Sequence, residues 1–401
     1  MTTQVRSRFL TSKIWVFLTS LSVLCLFFYS FVQVDLGLTL TRTSVITTIQ
    51  RSFQYIGYFD RPLSTYLYVG ILILLFLSYG LALWLAAKGK LERKLVWKVI
   101  IIMTIILALS YNAFSYDLFN YIFDARILTH YHLNPYEYKA LDFPADKMLG
   151  FMHWTHRTYP YGPAWLILTV PLSFVGMGLF IPTLILFKLL MGGFFLVALF
   201  YLEKILNKVS PKDATLGLVF FAFNPLVIIE SLVSAHNDIV MFSIVLMSIY
   251  FLVSKRYLFA FCLLLLSVGI KFATGLLLPL FIIIVLFERK KVPVKWGQIF
   301  PIFTLTMVIG LVAATMRTNF QPWYLLYLLP FAALTPRKYY LVIPGIILSF
   351  AALLNYVPFL FTGNWDPPIP SILFQINIVG IVISILLLGL LFFKTHLSKK
   401  G

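Results

Sequence analysis

Thirteen apolar runs divide the chain, at 14–34, 66–86, 99–115, 161–176, 179–202, 214–232, 239–254, 257–269, 272–287, 297–316, 323–335, 339–357 and 371–393. About 20 apolar residues make a helix long enough for a ~30 Å hydrocarbon core, and lipid admits only structures whose backbone groups pair internally. The chain is therefore expected to fold as an all-α, polytopic helical membrane protein. With 61% apolar and 11% charged residues over 401 positions, two or three soluble domains are closed off. Transporters, channels and lipid-linked enzymes all remain.

A formal charge of +18 would suggest nucleic acid in a soluble protein. Here it orients the chain. Of the 32 basic residues, 22 fall between runs or at the ends: Arg6, Arg8 and Lys13; Lys88, Lys90, Arg93, Lys94 and Lys98; Lys204, Lys208 and Lys212; Lys255 and Arg256; Arg289, Lys290, Lys291 and Lys295; Arg337 and Lys338; Lys394, Lys399 and Lys400. Each cluster reads as a cytoplasmic loop or terminus, which puts both termini in the cytoplasm and removes nucleic acid as a partner. The other ten (Arg42, Arg51, Arg61, Arg126, Lys139, Lys147, Arg157, Lys188, Lys271 and Arg317) are left for chemistry or solvation.

Thirteen crossings cannot leave both termini on one side. The conflict falls at 161–202, where Gly176 and Gly178 separate two runs and Lys204, Lys208 and Lys212 follow. The run 161–176 is read as a partial or re-entrant helix, leaving about 12 spans. The runs 257–269 and 272–287 are each short and are basic on both outer flanks. They read as a hairpin whose tip, Gly269 to Gly275, holds Lys271; one long kinked helix is the alternative. The run from Ile14 lacks a small-residue cleavage site and precedes further spans, so it reads as an anchor. Cys25 and Cys262 lie in apolar runs and imply neither a disulfide scaffold nor a metal site. Neither a short repeat nor pseudo-symmetric halves are evident, which disfavours a carrier.

The acids are scarce enough to place singly. Glu92, Glu203, Asp213 and Glu288 accompany the cytoplasmic clusters and are expected to be solvated, and Asp35, Asp60 and Asp366 fall in other external loops. Five more, Asp117, Asp124, Glu137, Asp142 and Asp146, share the external loop 116–160 with four of the six histidines, His130, His132, His153 and His156. If the start of that loop is helical, Asp117, Asn120 or Tyr121, and Asp124 share one face, with the two carboxylates about 10 Å apart along the axis. That separation suits two distinct tasks; an amphipathic interfacial helix with solvated acids is the plain alternative. Asp117 directly follows a spanning run, at the depth of a lipid headgroup.

The last two acids, Glu230 and Asp238, flank the tip Ser234-Ala-His-Asn-Asp238 between two runs. Asn237 or Asp238 caps the next helix, and the same helix start can present N–H groups to an anion. Ionisable residues in apolar runs need partners or a wet cavity, which applies to Glu230, Lys188 and Lys271. Lys271 either meets an anionic substrate or pairs with a carboxylate.

Four segments, in order, carry a resemblance: Asp117 to Tyr136 (DLFNYIFDARILTHYHLNPY), Tyr159-Pro-Tyr-Gly-Pro163, His236-Asn-Asp238 and Gln321-Pro-Trp-Tyr324. Together they resemble the GT-C superfamily of integral-membrane glycosyltransferases, in particular bacterial polyprenyl-phosphate-mannose-dependent mannosyltransferases, over roughly residues 100–335. The acidic loop follows the third apolar run instead of the first, which leaves residues 1–95 as a two-helix extension of open relation to the shared core. The resemblance implies a single transmembrane domain over 1–401 with 116–160 as its external catalytic loop. It also implies a polyprenyl-phosphate donor of a hexose, mannose foremost, a glycan or lipid-linked acceptor, inversion, and transfer at the outer face of the cell membrane.

Asp117 matches the family's catalytic acid and would take the acceptor's proton, with Asp124 as the second carboxylate. Lys271, Arg126, His236 and Arg317 are the candidates for the donor phosphate, Lys271 foremost. Asn120, Tyr161, Asn237, Asp238, Trp323 and Tyr324 are the candidates for substrate contact, although Trp323 and Tyr324 would equally serve as interfacial belt residues. No metal is expected, because carboxylates two turns apart cannot both reach one ion at 2.0–2.6 Å. A carrier or flippase for lipid-linked saccharides is the competing class, with the acids as a relay. The chain has no Asn-x-Ser/Thr sequon, which suits a prokaryotic plasma membrane.

Overall fold

The computed structural model describes residues 3–41 and 43–397, with side chains from 11 to 394. Arg42, Lys399 and Lys400 lie outside the described residues, as do the side chains of Arg6 and Arg8. Every described element is helical. In order these are α1 (Thr3–Val32), α2 (Ser44–Tyr58), α3 (Arg61–Ala87), α4 (Arg93–Ala108), α5 (Asp117–Thr129), α6 (Pro163–Val175), α7 (Phe180–Val209), α8 (Ala214–Ala222) and α9 (Pro225–Ile228). There follow α10 (Asp238–Val253), α11 (Tyr257–Val268), α12 (Leu278–Arg289), α13 (Trp296–Thr318), α14 (Leu329–Ala333), α15 (Tyr339–Leu354), α16 (Tyr356–Thr362) and α17 (Ile369–Leu397). Among the described residues seven helical stretches are long and apolar enough to cross a membrane, and eight if the bent pair Pro211–Ala222 and Pro225–Val233 is one span. Those eight match eight of the thirteen runs. The other five fold as shorter pieces, α4, α6, α10, α11 and the turn leading into α14, so the count of about 12 includes several that fall short of a bilayer alone.

The basic clusters gather where the acids meet them. Glu203 is buried against Arg93 at 2.6 Å and accepts from the Trp97 indole at 3.0 Å. Asp213 is buried beside Arg337, and Lys255 pairs with Glu288. The expectation that Glu203 and Asp213 are solvated is thus corrected: an excess of cations supplies each with a guanidinium, and a paired carboxylate can leave water. From Glu203, α7 runs back to Phe180, which packs on Phe119 of α5. With 30 residues it is roughly 45 Å long, so α5 and the basic clusters stand at opposite ends of the bundle.

The centre is one continuous segment, every residue of which is buried from Leu216 to Leu246. It bends by 59° at Asn224-Pro225, where Pro225 lacks an N–H and Asn224 accepts from Leu226 N to start the next helix. The tip 234–238 therefore lies inside the molecule and not on a surface loop. The described residues among 1–95 pack onto this centre: Trp15 meets Phe223 edge-on, and Tyr79 donates to the Phe220 carbonyl. They hold three helices, because the loop after α1 contains α2, whose buried Gln50 and Gln54 donate to carbonyls of Leu38 and Asp35.

Two short elements bring the loop 116–160 to the centre. Helix α6 has 13 residues, about 20 Å, too few for a bilayer. It lies alongside α5, with Tyr121 on Trp165 and Thr129 bonded to Ser173. The 257–289 segment is a hairpin and not a long kinked helix: α11 stops at Gly269, a tight 3₁₀ stretch Phe272–Leu277 follows, and α12 returns against α11. Ser267 and Thr274 bond across the turn at 2.9 Å. Its tip is fixed on the start of α6 by Gly162 N to Ile270 O at 3.0 Å and Ala164 N to Gly269 O at 2.9 Å. A Cβ on Gly162 would stand 2.2 Å from the Gly269 oxygen, so only glycine permits that approach.

Candidate active site

A sharp turn delivers Asp117 to the first position of α5. Phe114 takes a left-handed backbone at φ +70°, held by ring contacts to Tyr68 and Tyr356, and Ser115 Oγ accepts from Asp117 N at 3.2 Å. A carboxylate at a helix N-terminus is favoured by the axial dipole. The side chain is 17% exposed and faces a cavity of about 1410 Å³. One part of the lining is polar, with Gln33, Asp35, Arg61, Asn112 and His153; another, from α13 and α15 to α17, is largely apolar and includes Leu311, Leu348, Phe374 and Ile381.

Behind Asp117 lies His236, fully buried. Its Nδ1 is 3.5 Å from Asp117 Oδ2 and its Nε2 is 3.3 Å from Glu230 Oε2, while Tyr356 donates to Glu230 Oε1 at 2.9 Å. An imidazole can offer a proton to both carboxylates only as the imidazolium. Burial works against that charge, but Asp117 and Glu230 outweigh it and push the His236 pKa up to about 9. Burial likewise works to raise Asp117, yet contact with His236 and the charges of His236, Lys271 and Arg157 hold it below the usual carboxylate range. Trp323 stacks on the imidazole with ring centres 3.9 Å apart, a face suited to a cation.

The backbone that presents this group is strained and clamped. Ile229–Val233 forms a π turn, and Ala235 has φ +55°, both features that concentrate at functional sites. Lys188 of α7 donates to the carbonyls of Leu232 and Val233 and, at 3.2 Å, to Ser110 Oγ before α5. Ser234 Oγ donates to the Ala113 carbonyl at 3.1 Å. These bonds tie the turn that carries Asp117 to the turn that carries His236 and give buried Lys188 the partners it required, as His236 and Tyr356 do for Glu230.

Lys271 binds Asp238 Oδ2 at 2.7 Å and lies over the Tyr161 ring, 5.5 Å from its centre. The hairpin tip thus pairs with a carboxylate, one of the two outcomes left open for it, while its charge still reaches Asp117. Asp238 Oδ1 and both amide atoms of buried Asn237 have no protein partner among the described residues, and neither residue caps α10 through its side chain.

Several expected positions lie elsewhere. Asp124 is buried two turns along α5 and off the cavity lining; burial, then the Asp117 charge, raise its pKa well above the usual range. It packs inside the molecule, since nearly every face of α5 is covered. Arg126 is taken by Asp146 at 2.7 Å and by the Gly178 carbonyl, so it braces the loop instead of meeting a phosphate. Arg317 is exposed at the end of α13 and is not on the lining. Asn120 donates to Trp154 O, and Tyr324 is buried with its hydroxyl on Thr318; only Trp323 of that pair lines the cavity. Glu137 and Asp142 serve local turns through Asn134 and the Lys139 N–H. Asp35, Arg61, His153 and Tyr356 all line the cavity, although the sequence offers the first three only as loop or unassigned residues and gives none of the four a role in the site. Each lies in a different segment, and no local spacing announces them.

An all-helical, multi-span chain with an ionised carboxylate facing a cavity whose lining is polar in one part and largely apolar in another has the form of a polytopic membrane glycosyltransferase. Residues 23–287 match the family model of the alpha-(1->6)-mannopyranosyltransferase N-terminal domain, and the chain belongs to that family. It is a mannosyltransferase by family, which favours the transferase over the carrier. The match begins inside α1 and ends in α12. No curated protein and no solved structure matches the chain.

Proposed function

We propose that the chain moves mannose from a polyprenyl-phosphate donor to a hydroxyl of a glycan or glycolipid acceptor at the external membrane face, with inversion and with Asp117 as the base. The observation that carries this reading is that one cavity joins the Asp117 carboxylate to a wall of spanning apolar helices. A sugar carried on a lipid needs both. Aromatic faces suited to sugar C–H surfaces, Trp154, Trp323 and Trp365, lie on the same lining.

In this reading the acceptor oxygen attacks the anomeric carbon as Asp117 takes its proton, and the bond to the phosphate oxygen breaks with its electron pair leaving on the phosphate. Attack opposite the leaving group inverts the centre. A carboxylate held below its usual range is ionised at neutral pH and ready to accept the proton. His236 and Trp323 fix its orientation from behind. Divalent metal has no assigned role, and transfer should persist in chelator.

Asp117→Asn keeps the size and removes the base. With labelled polyprenyl-phosphate mannose and purified protein, transfer should fall by about 10²–10⁴-fold while donor binding stays within about threefold. Wild-type turnover in that variant would sink the assignment.

A further inference from the structure

A phosphate that departs with two negative charges needs cations or N–H donors around it. Of the four cations expected for this from sequence, three are engaged by carboxylates and one lies off the cavity lining. Lys271 is on Asp238, Arg126 on Asp146, His236 lies between Asp117 and Glu230, and Arg317 is off the lining. The cavity nevertheless has one fixed cation: among its lining residues Arg61 is the sole Arg or Lys. The lining carboxylates are Asp35 and Asp117, and the cations that reach Asp117 stand behind the lining, so Arg61 is the lining residue whose charge is opposite to that of an anionic headgroup.

The surroundings of Arg61 are those of a built site. Its guanidinium makes no ion pair among the described residues and rests over the Tyr58 ring, 5.7 Å from the centre. On its other side stands Gly363, which ends α16 with φ +82°; a Cβ there would come within 2.4 Å of Arg61 Cζ. Glycine at that point gives the guanidinium its room. Gly363 belongs to the α16–α17 segment that also lends Phe359 and Phe374 to the lining, so the guanidinium stands against that segment. Arg61 is the first residue of α3, a 27-residue spanning helix, and hence at the end of an apolar span. That is where the phosphate of a membrane-anchored lipid lies. Through Tyr116, whose hydroxyl feels both Asp35 and Arg61, the cation adjoins the residue next to Asp117.

We propose that Arg61 is the phosphate-binding cation of this site, gripping the donor's phosphate and holding it as the leaving group. The inference rests on the polyprenyl-phosphate reading above. A planar guanidinium presents two parallel N–H groups to two phosphate oxygens, which orients the scissile bond as well as neutralising charge.

The test is binding of a labelled polyprenyl monophosphate, with the unphosphorylated polyprenol as reference, to purified wild type, Arg61→Gln, Arg61→Lys, Asp117→Asn and Gly363→Ala. Wild type and Asp117→Asn should prefer the phosphate over the alcohol by about tenfold or more, the range of a charge-assisted hydrogen bond. Arg61→Gln should abolish the preference without changing polyprenol affinity, and Arg61→Lys should restore part of it. Gly363→Ala keeps the arginine but crowds it, and should weaken the preference too. Should Arg61→Gln lose polyprenol affinity as well, full phosphate preference in Gly363→Ala overturns the assignment. An Arg61→Gln variant that holds the phosphate as wild type does overturns it and leaves the donor reading standing. A wild type that does not distinguish phosphate from alcohol overturns both.

Discussion

His236 joins two anions that would otherwise face each other across a buried gap. Its pKa of about 9 lies above its ordinary 6.5, so the stabilisation it provides is full below 6.5 and is lost as pH rises through 9. Asp117 has the opposite sign: held below its ordinary 3.8, it contributes stability above that value and loses it only as pH falls further. Melting temperature should therefore be highest below about pH 6.5 and decline steadily up to about 9, whereas transfer rate, which follows the imidazolium population, should hold to about pH 8 and fall near 9. His236→Gln should remove that alkaline fall and melt lower at neutral pH, because a neutral amide leaves Asp117 and Glu230 uncompensated. A rate profile that stays flat through pH 10 in wild type would show the imidazolium is not needed.

At the level of elements, the site depends on the docking of α6, too short to stand alone in a bilayer, onto the tip of the α11–α12 hairpin. Gly162→Ala places a methyl 2.2 Å from the Gly269 oxygen and must push the hairpin tip off α6. The cost should be about 1–3 kcal/mol by denaturation, with a drop in turnover as Lys271 and Tyr161 lose register with Asp117. A variant with unchanged stability and rate would mean the tip is not held there. The helices themselves were legible, since each apolar run folds as helix and the break at 269–271 shows in its glycine and flanking charges. What the sequence concealed was pairing. Nothing local says that Arg126 belongs to Asp146, twenty positions away, or that Lys188 will find carbonyls at the end of a π turn. The helix α2 escaped notice because its face is only partly apolar and its buried contacts are glutamines.

For the whole molecule, the cavity divides its labour along the chain. Asp117, Asp35 and Arg61 come from the family-matched part, whereas Leu311, Leu348, Phe374 and Ile381 lie beyond residue 287. Asp117 was readable because it heads a compact motif. The cavity was not, since its residues come from segments hundreds of positions apart. Phe374→Ser should raise KM about tenfold for a long-chain donor, roughly the loss of burying one phenyl ring, and leave a short-chain donor unaffected. Equal effects on both chain lengths would place the lipid elsewhere.

The hydrogen bond from Tyr68 to the Leu353 carbonyl, spanning 285 residues, gives this division a consequence in time. A ribosome that has released α12 into the membrane has already delivered Asp117, His236 and Glu230, but none of the helices that enclose them on the far side. Chains stalled there should hold an open, water-flooded half-site, and competence should appear abruptly with arrival of the final hundred residues. Accessibility of a cysteine placed at Ser115 to a soluble thiol reagent, followed against nascent-chain length, would time that closure.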